Sequence, residues 1–84
     1  MICMKDECTL RINGQMYSYS ILLEQLGYDQ EKSITLEQLI IGLGYRLERV
    51  AVEYNGNIVK RDVWNHTLVV AGSIIEIVSF VGGG

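Results

Sequence analysis

Three consecutive glycines, Gly82, Gly83 and Gly84, follow directly on the apolar residues Phe80 and Val81. Glycine has no side chain to bury and loses the most backbone freedom when ordered, so packing does not explain the run. It reads either as a frayed terminus or cloning remnant, or as a thin tail whose terminal carboxylate enters a partner's active-site channel. In the second reading the chemistry is acyl activation at the Gly84 carboxylate, and a Cβ would obstruct a narrow channel. Other reactive residue types are sparse. His66 lies in a polar connector with no carboxylate or hydroxyl at a telling spacing, which suits a structural or solvent-exposed role better than catalysis. Cys3 and Cys8, with four residues between them and one distant histidine, are too few ligands for zinc, and no metal site is expected. Two cysteines make no disulfide framework either, so they read as reduced thiols of a cytosolic protein. Cys8 falls on the inward face of an expected strand, as a small buried hydrophobe.

The bulk properties exclude several function classes. A net charge of -3 argues against a nucleic-acid partner, which calls for a basic stripe. No stretch approaches the roughly 18 apolar residues of a membrane helix. Met1 to Glu7 lacks the basic and then apolar pattern of a secretory leader. The expected location is the cytoplasm, away from membranes. With 84 residues, 49% of them hydrophobic, residues 1–84 suit one small domain whose tail is 82–84.

The elements that must position such a tail are legible from periodicity. Cys8 to Ile12 alternates apolar and polar residues, and Asn13-Gly14 supplies a type I′ turn into a return strand, Gln15 to Tyr19. Ile21 to Tyr28 has helical spacing and a glycine stop, and packs or fails, being only about two turns long. The polar residues Asp29 to Ser33 read as loop. Thr35 with Gln38 forms a capping box ahead of the principal helix, whose apolar stripe is Leu36, Leu39, Ile40 and Leu43 and whose stop is Gly44. Val50 to Tyr54 is a third strand turning at Asn55-Gly56 into Asn57 to Lys60. Arg61 to His66 suits a short helical turn anchored by Trp64. The last strand, Ile74 to Val81, places Ile75 and Ile77 on one face and Glu76, Val78 and Phe80 on the other. Two apolar side chains on the outer face beside the tail predict a docking patch made of Glu76, Val78, Phe80 and Val81. The tyrosines are expected to pack on the sheet, and Glu24, Glu31 and Glu37 to be solvated.

This order gives an α+β fold: a four- to five-stranded mixed sheet with one principal helix across one face, plus an extra short helix around Ile21–Tyr28. The β-grasp topology of ubiquitin-like domains fits it, although periodicity alone leaves other α+β topologies open.

The runs V-A-V-E-Y-N-G-N-I-V from Val50 and E-I-V-S-F-V-G-G-G from Glu76 resemble the sulfur carrier proteins of thiamine biosynthesis, the ThiS family. Trp64, the I-N-G of the first hairpin and the I-T-L-E-Q-L that opens the helix match as well. The chain departs from the family pattern in a longer connection between Gly14 and Leu36, an N-terminal extension from Met1 to Glu7, and Lys60 where proline is frequent. The resemblance implies a ubiquitin-like β-grasp protein that is a cosubstrate and not an enzyme, with no bound cofactor. Its Gly84 carboxylate would be adenylated by a ubiquitin-activating-type adenylyltransferase using ATP and magnesium. A sulfur relay, such as a cysteine desulfurase, would convert it to a thiocarboxylate for thiazole synthase. The small subunit of molybdopterin synthase shares the fold and the Gly-Gly end. A ubiquitin-like protein modifier or a fold-only interaction module are the remaining alternatives.

Overall fold

The computed structural model describes residues 8–29 and 32–80. The first hairpin joins β1 (Thr9–Ile12) to β2 (Gln15–Ser18), antiparallel, through Asn13 and Gly14. Both turn residues have positive φ, 51° and 83°, as a type I′ turn demands. The second hairpin repeats the device. Here β4 (Val50–Tyr54) and β5 (Asn57–Val59) meet at Asn55, φ 51°, and Gly56, φ 87°. The last strand, β7 (Ile74–Ser79), lies between the hairpins, parallel to β1 and antiparallel to β4. The result is one mixed five-stranded sheet in the order β2-β1-β7-β4-β5. A parallel first and last strand at the centre of such a sheet, crossed by a helix on one face, is the β-grasp arrangement.

The short helix α1 runs Tyr19–Leu26, two residues ahead of the expected start. The shift has a cause in the ladder: the Tyr19 amide still donates to the Cys8 carbonyl, so the chain turns from strand to helix with no loop between. Gly27 closes the helix in the left-handed region. Leu22 and Leu23 go into the core, so the helix's apolar stripe is spent inside the protein. Tyr19 ties it down further, its hydroxyl donating to the Val69 carbonyl at 3.0 Å.

The principal helix α2 (Leu36–Gly42) starts as its cap predicts. The Gln38 amide donates to Thr35 Oγ1 at 3.1 Å and the Thr35 amide to Gln38 Oε1 at 2.9 Å. Leu36, Leu39 and Ile40 are fully buried against the sheet. Gly42 has a packing reason to lack a side chain, since a Cβ there would sit 3.1 Å from Leu26 Cδ1 and 3.3 Å from Tyr28 Cε2. The end of α1 thus rests on the last turn of α2, and the Tyr28 hydroxyl donates to the Gln38 carbonyl at 2.9 Å. Gly44, φ 93°, ends the helix as expected.

Trp64 lies buried in a 3-10 helix, Arg61–His66, and its Nε1 donates to the Val59 carbonyl at 2.9 Å. Three elements were not expected from the sequence: a 3-10 turn at Leu47–Arg49 and a second, two-stranded sheet of β3 (Ile34–Thr35) and β6 (Leu68–Val69). The expectation for Cys8 is half right. It is buried, but it is disulfide-bonded and not a reduced thiol. Two cysteines are too few for a framework of crosslinks, and that count says nothing against a single one.

Candidate functional site

The strand β7 leads toward the glycine tail, and its alternation sorts its residues cleanly. Ile75 and Ile77 are buried in the core beneath α2, while Val78 and Phe80 are 59% and 57% exposed on the opposite side. Glu76 points the same way as Val78 and is half-buried. Val81, Gly82, Gly83 and Gly84 lie outside the described residues.

The register of β7 is held from both flanks by the asparagines of the two hairpin turns. Asn13 donates its amide to the Ile75 carbonyl at 2.9 Å and accepts the Ile77 amide on Oδ1 at 2.7 Å. Asn55 mirrors it, donating to the Ile74 carbonyl at 2.7 Å and accepting the Ile74 amide on Oδ1 at 2.8 Å. Each asparagine therefore does two things: it tolerates positive φ, and it completes the hydrogen bonding of the central strand beyond the end of its own strand. The ladder runs to Phe80, whose amide donates to the Arg49 carbonyl at 2.7 Å.

The surface around the expected patch is wider than the last strand. Along β4 the outward residues are Ala51, opposite Val78, and Glu53, opposite Glu76. On β5, Ile58 stands opposite Glu53 and is 73% exposed. Sequence reasoning stopped at β7 and missed these. The signal was available in V-A-V-E-Y itself, because burying Val50 and Val52 turns Ala51 and Glu53 outward.

His66 is exposed, and no group of three or more histidine, cysteine or acidic residues that could hold a metal occurs among the described residues. The described residues expected at the site, Glu76, Val78 and Phe80, lie along β7 and its end. They build a face. No helix among them is long and apolar enough to cross a membrane.

Comparison with known proteins bears on what the face serves. A thiazole synthase of Magnetococcus marinus is 40% identical over 57 residues, which cover 68% of this chain and 18% of that protein, so the chain spans about a fifth of the relative's length. A crystal structure of the thiamine biosynthesis protein ThiS from Geobacter metallireducens superposes with a TM-score of 0.67 at 28% identity, covering 90% of this chain and 99% of that one. A solution structure of a thiamine biosynthesis protein from the same organism gives the same score and identity, covering 87% of that chain. The model of the ThiS family matches residues 10–84, from the first strand through the three glycines, and the chain belongs to that family.

Proposed function

We propose that this chain is a sulfur carrier for thiamine biosynthesis, acting in the cytoplasm as a protein cosubstrate whose reactive group is the Gly84 carboxylate. In the first step a carboxylate oxygen attacks the α-phosphorus of ATP on a ubiquitin-activating-type adenylyltransferase, and pyrophosphate leaves. A persulfide of the sulfur relay then attacks the acyl carbon and AMP leaves. Reduction of the acyl disulfide by a thiol frees the thiocarboxylate, which thiazole synthase consumes. None of these steps asks for a side chain of the carrier. They ask for a tail that reaches and a surface that docks.

The observation that carries the reading is the pairing of β7 with its tail in a chain of this family. Val78 and Phe80 are exposed on the outer face, immediately ahead of the glycines. Exposed apolar side chains in a row commonly mark a protein interface. The likeness to part of a thiazole synthase supports that enzyme as the acceptor, since a sequence resembling the carrier occurs within the synthase's own chain.

Intact-mass measurement after incubation with the adenylyltransferase, ATP and the sulfur relay tests the proposal. Replacement of one terminal oxygen by sulfur adds about sixteen mass units and supports it. Deletion of Gly83 and Gly84 should abolish adenylation and leave the fold unchanged. Sulfuration of the deleted form would overturn the tail mechanism, and isopeptide adducts on lysines would indicate a protein modifier.

A further inference from the structure

The open face of the sheet holds an arrangement that folding by itself disfavours. Glu53 lies directly opposite Glu76 in the β4–β7 ladder. The bonds from the Asn55 amide to the Ile74 carbonyl and from the Phe80 amide to the Arg49 carbonyl fix the ladder's phase. They make Glu53 and Glu76 a hydrogen-bonded pair, for which Cα atoms stand about 5.5 Å apart. Like charges placed directly opposite one another weaken a sheet. Both side chains are half-buried, and neither carboxylate forms an ion pair or hydrogen bond with a described residue. Arg11, outward on the same face of β1, makes no ion pair with them. Exposed aliphatic groups surround the pair: Ile58 across from Glu53, and Ile74 and Val78 on either side of Glu76 along β7.

We propose that Glu53 and Glu76 form the charged anchor of the docking face, receiving an arginine from the adenylyltransferase between them while Ile58, Val78 and Phe80 meet apolar residues of that enzyme. This deepens the carrier reading and rests on it. Charge complementarity selects the occupant. A second copy of the chain, docked face to face about a two-fold axis, would bring four carboxylates together. Among the described residues no histidine, cysteine or further acidic residue joins the two carboxylates, which makes them a poor metal site. A guanidinium fits because its planar fork can give separate charge-assisted hydrogen bonds to two carboxylates at once. The patch is also continuous with the strand that leads to the tail, so an enzyme that takes the tail covers these residues. A carboxylate pair that is unfavourable in the free carrier thereby becomes favourable in the complex, and carriers with a neutral or basic pair here dock more weakly.

The test is the double variant E53Q/E76Q, which keeps shape and removes charge, assayed in pyrophosphate exchange with the adenylyltransferase at low and high salt alongside a urea unfolding curve. The expected result is a KM for the carrier raised about tenfold, with a flattened salt dependence, an unchanged kcat and an unfolding midpoint equal to or above wild type. An unchanged KM, or a loss that follows a fall in kcat or in stability, overturns the anchor. These outcomes are separable from failure of the carrier reading. If the wild-type chain is not adenylated at all, the carrier reading falls and takes the anchor with it. Wild-type adenylation with an unaffected variant removes the anchor alone.

Discussion

Two faces of one strand show how differently the same backbone can be used. On β7, Ile75 and Ile77 are sealed in the core, whereas Ile74 and Val78, and Phe80 just past the strand end, are comparable in chemistry yet half or more exposed. The inward residues exchange water for close packing, each gaining roughly 1.5–3 kcal/mol. The outward ones, still half or more exposed, gain much less from folding. Their identity is therefore free of the constraint that fixes the inner face, and an apolar side chain there needs a reason outside the fold. Buried and exposed apolar residues thus share a six-residue strand, and we propose that the exposed ones serve recognition.

The strongest way to break this division is Ile75→Ala. A cavity at a fully buried position should cost about 2–5 kcal/mol, read from urea unfolding, while the fraction that remains folded docks normally. Asn13→Gly is gentler, because glycine keeps the turn and only the acceptor for the Ile77 amide is lost; the expected cost is about 1–2 kcal/mol. Asn55→Gly should cost less than that, since Ile74 is exposed and water can satisfy its amide. A reversal of that order would mean the two flanks of β7 do not differ as described. Val78→Ala should change stability by no more than about 0.5 kcal/mol, yet weaken association with the adenylyltransferase in titration calorimetry. Equal losses at Ile75 and Val78 in the unfolding curve would erase the distinction between the faces.

The smallest effect is a pH dependence on the covered side. Burial raises the Tyr19 hydroxyl above its ordinary value of 10.0, with a further push from Tyr54, and the backbone at Ile34 offsets part of this. The native protein thus holds this proton more tightly than the unfolded chain. Its contribution to stability is complete below pH 10.0 and falls away as the pH climbs through the raised value. Tyr19→Phe should flatten that alkaline decline in thermal melts. A steeper decline would mean the direction is wrong.

Much of this was legible from local pattern. Asn-Gly marked both turns, Thr35 with Gln38 marked the helix start, and alternation alone sorted the faces of β7. What stayed hidden depends on residues far apart in sequence. Two-residue strands such as Ile34–Thr35 and Leu68–Val69 are too short to show a period, and they exist only because each pairs with the other. The early start of α1 is set by a hydrogen bond to Cys8, the residue just ahead of β1. The opposition of Glu53 and Glu76 requires the register between β4 and β7, which no stretch of either strand encodes. The candidate site itself was half visible: its edge on β7 and the outward residues of β4 could be read from alternation, but which of them the sheet sets side by side could not.

The position of β7 has a consequence for how the protein is made. Ile12 pairs with Ile75, so the sheet stays in two halves, one hairpin in each, until the last described strand arrives. Bringing together segments so distant in sequence is slow compared with forming either hairpin. On the ribosome, the outer face of the sheet cannot be completed before β7 emerges, and Gly82 to Gly84 follow β7 out. A chain cut short before β7 has neither a finished surface nor a tail to offer. Under the carrier proposal the fold would couple quality control to chemistry: an activating enzyme that tests the face would also test that synthesis reached the far side of the sheet.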